Sequence, residues 1–245
     1  MGTESHLTIV SVYPRLLGTY GDTGNALVLA SRARRRGIGA RIITVHPGTA
    51  VPVTADVYCL GGGEDTNQTL AALLLRADGG LRRAAARGAT VLGVCAGLQL
   101  LGQSFTDSAG VARPALELLD VECGRLRERA VGEIVVDPSA LPGVPALTGY
   151  ENHRGDAVLR GSAQPLGTVR VGIGNGPSRT DGAVSGRIVG TYLHGPLLAR
   201  NPALADHLLH GVVGTLEPLG TDTAERLHTE RLDRVLSGRA RSGPR

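Results

Sequence analysis

The sequence predicts an α/β fold in three layers: an open, mostly parallel sheet with helices on both faces. Two observations carry this. Strand-sized apolar runs alternate with helical patterns through the first hundred residues, which is the signature of parallel strands joined by crossover helices. One of these strands, 90–94, passes without a linker into a helical pattern after Cys95, and such strand–turn–helix junctions belong to α/β sheets. The 245 residues, 42% of them hydrophobic, are ample for one core. We read residues 1–245 as a single domain, in which 221–245 form a C-terminal helix and an Arg-rich, solvated tail.

Composition narrows the function. Net charge is only +4, and one Phe, five Tyr and no Trp offer few stacking surfaces, so nucleic acid is not expected as a partner. All 26 basic residues are Arg. Without Lys there is no Walker A loop and no Schiff-base chemistry. No apolar run reaches membrane-spanning length, and the first residues lack the pattern of a signal peptide, so no membrane anchor is expected. Cys59, Cys95 and Cys123 make neither a CxxC nor an even framework. That pattern fits a reducing, cytoplasmic location.

The elements follow in order. Residues 6–12 read as a strand. The Gly-marked stretch 13–25 reads as a connection placed to line a site, as loops at strand ends do in open α/β sheets. A helix over 25–36 carries Ala26, Leu29, Ala30 and Ala33 on one face, and Gly37 and Gly39 stop it. Strands are predicted at 41–45 and 55–60. The second runs into Gly61-Gly62-Gly63-Glu64-Asp65, whose backbone amides suit an anion. Helix 66–87 is interrupted near Asp78-Gly79-Gly80. Beyond 104, short β segments at 118–123, 131–136, 157–159, 166–171 and 187–193 predict a partly antiparallel continuation of the same sheet. Gly172-x-Gly174-x-Gly176 opens no helix and is no dinucleotide motif. A helix from Asn201-Pro202 to about 213 and a charged helix at 221–237 close the chain. His207 and His210 lie one turn apart with no third ligand, so no metal site is expected.

The chemistry centres on Gly93-x-Cys95-x-Gly97. Small neighbours on both sides of a Cys at a strand-to-helix turn fit a nucleophile elbow, whose backbone leaves no room for side chains. A helix N-terminus also favours negative charge there. A lone buried Cys is more often inert packing, but the two glycines and the junction decide for a nucleophile. His194 ends the apolar run 187–193 and is placed to take and return a proton; His153 is the rival base.

Cys95-Ala96-Gly97-Leu98-Gln99 after an apolar strand resembles the nucleophile motif of class I glutamine amidotransferases, with their flavodoxin-like sheet. Tyr20 to Asn25, Leu60 to Asp65, Arg129 to Ile134, Gly149 to Arg154 and Gly190 to Leu197 extend the likeness. They resemble the cobyric-acid-synthase-like branch, and within it most of all the glutaminase subunits of lipid II isoglutaminyl synthases. The resemblance implies glutamine hydrolysis through a Cys95 thioester, with His194 as general base and acid. Oxyanion donors would be Gly62 or Gly63, together with Ala96. Arg129 and Gln99 would bind glutamine. No cofactor is implied for this chain. A Mur-ligase-like partner would use ATP and Mg to activate D-glutamate of lipid II, and ammonia would convert it to D-isoglutamine in peptidoglycan synthesis. Cobyrinate or cobyrate amidation, a non-catalytic scaffold and a thiol hydrolase are the competing readings.

One departure matters. Most class I enzymes place Glu two residues after the catalytic His, and position 196 here is Pro. A Cys–His dyad, another acid of this chain, or an acid from the partner remain as solutions. The partner is the favoured source, which would make glutaminase activity depend on assembly.

Overall fold

The computed structural model describes residues 6–220 and 223–241. The first half runs β1 (Leu7–Val12), α1 (Gly24–Arg34), β2 (Ala40–Val45), β3 (Val57–Leu60), α2 (Asp65–Asp78), α3 (Gly80–Ala86), β4 (Thr90–Val94) and α4 (Ala96–Leu101). The second runs β5 (Ser104–Thr106), β6 (Ala112–Pro114), β7 (Val121–Asp137), β8 (Leu147–Leu159), β9 (Gly167–Val171), β10 (Thr180–Asp181), β11 (Ala183–Ser185) and β12 (Ile188–Thr191). Three helices follow: α5 (Leu197–Arg200), α6 (Pro202–Val213) and α7 (Thr223–Arg241).

The first sheet has the order β11-β12-β4-β3-β1-β2, parallel except for β11 at one edge. Strands β1, β3 and β4 are buried along their whole length, because helices cover both faces. On one face Val10, Tyr58 and Val91 pack with Ala71 and Leu75 of α2, Leu81 of α3 and Leu98 of α4. On the other, Ile9, Val57, Leu92 and Val94 pack with Leu29 and Ala33 of α1 and Leu204 and Leu208 of α6. Alternate strand residues thus feed two cores, as the period of two requires. The break between α2 and α3 falls at Gly79, which adopts φ 65° and donates its N–H to Leu75 at 3.0 Å, a left-handed cap that glycine adopts without strain.

The later strands do not continue this sheet. They build a second one, ordered β10-β9-β7-β5-β6 with β8 on β7, and only β11 and β12 join the first. The reason is the length of β7 and β8. They pair antiparallel from Val121 opposite Leu159 to Val136 opposite Leu147, so each satisfies the other's backbone. Their register shifts between Arg125 and Ala130. That charged run reads from sequence as a gap between strands; it is an exposed stretch of one long strand. Ile134, Val136, Leu147 and Val169 of the second sheet enter the same core as α6 and Val94.

Helix α7 docks on the outside. Arg231 and Arg200 both pair with Glu133, the latter at 3.2 Å, and His228 Nδ1 donates to the Arg200 carbonyl at 2.8 Å. The Arg-rich segment is therefore helical through Arg241, and residues 221–222 and 242–245 lie outside the described residues. No helix among the described residues is long and apolar enough to cross a membrane.

Candidate active site

Cys95 sits where β4 turns into α4, with φ 55° and ψ −104°. This is a left-handed backbone for a residue with a side chain, and such strain collects at functional turns. The flanking glycines are required. A Cβ on Gly93 would lie 2.7 Å from the Gly97 carbonyl carbon, and one on Gly97 would lie 2.6 Å from the Leu60 oxygen. The Cys95 N–H donates to Thr191 O at 2.8 Å, tying the elbow to β12. Burial pushes the Cys59 and Cys123 thiols up to about 12, which keeps them protonated packing groups.

β12 lies directly beside β4, with Gly190 opposite Gly93 and Thr191 opposite Val94. His194 follows just beyond the end of β12. Its backbone is clamped to Tyr150 of β8, His194 N–H to Tyr150 O at 2.8 Å and Tyr150 N–H to His194 O at 3.1 Å. The imidazole is buried, and its Nδ1 donates to Asp22 Oδ2 at 2.8 Å. Nε2 is buried without a fully formed hydrogen bond, and the Cys95 thiol is within interaction range of the ring. Burial acts to lower the His194 pKa, but the Asp22 carboxylate and the Cys95 thiol outweigh it and hold it at about 10.

An acid of this chain, Asp22, thus takes the position beside His194 that the sequence reading assigned to a partner. Asp22 comes from the loop after β1, whose Thr19 bridges to Gly62 at 3.1 Å. Pro196 supports that loop. A Cβ on Gly24 would lie 2.6 Å from Pro196 Cγ, and Asn25 Oδ1 accepts the Leu198 N–H at 2.9 Å. The residue that replaces the usual acid thus packs against the segment that delivers another. Asp22 between Gly21 and Gly24 was the available signal: an acid in a Gly-marked loop at a strand's C-terminal end.

The Gly-rich loop is divided in its use. The Gly62 N–H donates to Asp22 Oδ2 at 2.9 Å, so this amide is already taken and does not serve as an oxyanion donor. The N–H groups of Gly63 and Ala96 donate to no group among the described residues. Gly62 must remain glycine for another reason, since a Cβ there would lie 2.6 Å from His194 Cε1.

A cleft opens over Cys95 and His194 and is lined by Tyr20, Gly63, Glu64, Gln68, Gln99, Arg129 and Asn152 among others. Gln99 Oε1 accepts from Gln68 Nε2 at 2.7 Å; Gln68, Tyr20 and Asn152 were not singled out from the sequence. Arg129 donates to Asn152 Oδ1 and pairs with no carboxylate among the described residues. His153, the rival base, also lines the cleft. Its Nδ1 donates to Gly155 O at 3.1 Å, its Nε2 lies 3.5 Å from Glu151, and its ring stacks on Tyr192 at 3.7 Å. Asp22 and the Cys95 thiol meet His194 instead.

Comparison with known proteins gives the family. Residues 8–202 match the CobB/CobQ-like glutamine amidotransferase domain. The chain is 31% identical over 206 residues to the GatD subunit of the glutamine-hydrolyzing lipid II isoglutaminyl synthase of Staphylococcus aureus, covering 83% of each chain. It is 38% identical over 204 residues to the cobyric acid synthase of a Caulobacter strain, covering 78% of this chain and 37% of that protein. Among solved structures, a glutamine amidotransferase superposes with TM-score 0.57 at 19% identity over 83% of this chain and 98% of that one. A glutamine amidotransferase of Thermotoga maritima gives TM-score 0.53 at 17% identity over 97% and 96%. At these identities the two structures speak for the fold alone. The family match over most of the chain settles its kinship: this protein belongs to the CobB/CobQ-like glutamine amidotransferases.

Proposed function

We propose that the chain is the glutamine-hydrolysing subunit of a lipid II isoglutaminyl synthase. The observation that carries the chemistry is the convergence of Cys95, His194 and Asp22 beside the unpaired amides of Gly63 and Ala96. His194, oriented by Asp22, holds the proton it shares with Cys95 as Sγ attacks the carboxamide carbon of glutamine. The oxyanion is received by the Gly63 and Ala96 amides. His194 then protonates the departing nitrogen, ammonia leaves, and a thioester remains. A water, deprotonated by His194, attacks the thioester and releases glutamate and the thiol. Arg129, without a carboxylate partner in this chain, binds the α-carboxylate of glutamine, with Gln99 beside it.

Kinship over most of the chain supports the choice of acceptor. Similarity to the GatD subunits extends over about four fifths of both lengths, whereas in cobyric acid synthases a chain like this one is about a third of a longer protein. On that basis ammonia passes to a separate Mur-ligase-like subunit. That partner spends ATP with Mg on the α-carboxyl of D-glutamate in lipid II, at the cytoplasmic face of the membrane. Cobyrinate or cobyrate amidation is the second reading, favoured by the 38% identity over the aligned region.

The test has two parts. A glutamine-mimicking electrophile should label Cys95, and glutamine should protect it. With a Mur-ligase-like partner, ATP and lipid II, mass spectrometry should find the stem peptide 1 Da lighter. Labelling and protection without amidation of lipid II would leave a glutaminase with another acceptor.

A further inference from the structure

The loop that delivers Asp22 also delivers Tyr20, and the two residues meet the same imidazole from different sides. Tyr20 takes φ 58° and Gly21 φ 78°. Two successive left-handed residues reverse the chain so that Asp22 reaches Nδ1 of His194 while Tyr20 sets its ring against the imidazole. The centroids lie 4.9 Å apart with the planes at 67°, an edge-to-face contact, and a second edge contact joins Tyr20 to Tyr150 at 5.9 Å. A left-handed tyrosine is costly, yet Tyr20 as a residue is 46% exposed, so burial does not account for its position. Its hydroxyl is engaged: Asn152 Nδ2 donates to it, and Asn152 Oδ1 accepts from Arg129 Nε. Asn152 spends both ends of its amide on this link.

We propose that Tyr20 is a positioning residue that couples the substrate-binding arginine to the catalytic imidazole. Through Asn152 it holds the Arg129 guanidinium at the mouth of the cleft before glutamine arrives, and through its ring it limits the orientations of His194. This task rests on Arg129 receiving the glutamine α-carboxylate and on His194 serving Cys95. The hydroxyl and the ring therefore have separable effects.

The experiment measures alkylation of Cys95 by iodoacetamide in the full chain, with and without glutamine and across pH, so that no turnover is needed. Tyr20→Phe keeps the ring and loses the Asn152 link. It is expected to weaken glutamine protection about three- to tenfold, the worth of one hydrogen bond, with a smaller change in alkylation rate. Asn152→Ala should weaken protection by a similar factor. Tyr20→Ala should weaken protection and also shift the pH profile of alkylation, because the ring contact to His194 is gone. Tyr20 is half exposed, and thermal unfolding should place all three variants near the parent. Protection and pH profile unchanged in Tyr20→Ala would overturn the proposal. Protection lost equally in all three with no pH shift in Tyr20→Ala would overturn the part that concerns His194. Absence of protection in the unsubstituted chain would overturn the glutamine reading itself, and the coupling with it.

Discussion

Replacing Asp22 by Asn isolates the charge of the orienting acid. A single oxygen, Oδ2, accepts from both His194 Nδ1 and the Gly62 N–H, at 2.8 and 2.9 Å, while Oδ1 is buried without a partner. An Asn with its oxygen in the Oδ2 place therefore keeps both hydrogen bonds and the side-chain volume. What it loses is the negative charge that helps hold the His194 pKa at about 10 against the opposing effect of burial. Exchanging a charged for a neutral acceptor is worth about 1–2 kcal/mol. That loss converts to about a 5- to 30-fold fall in kcat. The assay is ammonia release at saturating glutamine, with Cys95 alkylation followed against pH as a second readout. The alkaline limb of that profile should move to lower pH in Asp22→Asn. A kcat within threefold of the parent, with an unmoved profile, would refute the assignment of Asp22 as the acid that orients His194.

Other outcomes follow from the same geometry. Gly62→Ala places a methyl 2.6 Å from His194 Cε1; kcat should fall at least about tenfold while circular dichroism stays that of the parent. Arg129→Ala should raise KM for glutamine by about 10- to 100-fold, the worth of a charge-assisted contact, with kcat changed far less. His194 binds its proton more tightly folded than unfolded, so its stabilising contribution is complete below about pH 6.5 and lost as pH rises through about 10. Urea midpoints should decline across that window, and His194→Gln should flatten the decline. Burial raises the Asp181 carboxyl to about 7 despite hydrogen bonds from Thr191 and the Tyr192 N–H. The folded state then holds a proton that the unfolded state has released, and stability falls as pH rises from about 4 to about 7. Asp181→Asn should remove that fall, gaining on the parent by roughly 2–4 kcal/mol between those pH values.

The first half of the fold was legible because its signals are local. Continuous apolar strands, the Gly79 break and the Gly93-Cys95-Gly97 elbow each depend on neighbours in sequence, and each falls within one or two residues of its predicted place. The second sheet was not legible as a separate unit. Short β segments state their own propensity but not which edge they join, and the charged run between Arg125 and Ala130 hid the continuity of β7. Cys95 and His194 were visible as types in the right context. Asp22 was missed, because its partner is 172 residues away and the Gly-marked loop around it shows a place for an acid but not which residue that acid will meet. The Pro at 196 pointed correctly to a missing acid and wrongly to a second subunit. Its packing against Gly24, which a sequence does not display, locates the replacement.

With Asp22, His194, Cys95 and two unpaired amides all in one chain, glutamine hydrolysis should not await a partner for its acid. The most direct test is glutamate and ammonia production from glutamine by this chain alone, with Cys95→Ala as control. Equimolar products that disappear in Cys95→Ala are expected. A folded chain that releases no ammonia until a partner subunit is added would contradict a catalytic centre completed within the chain.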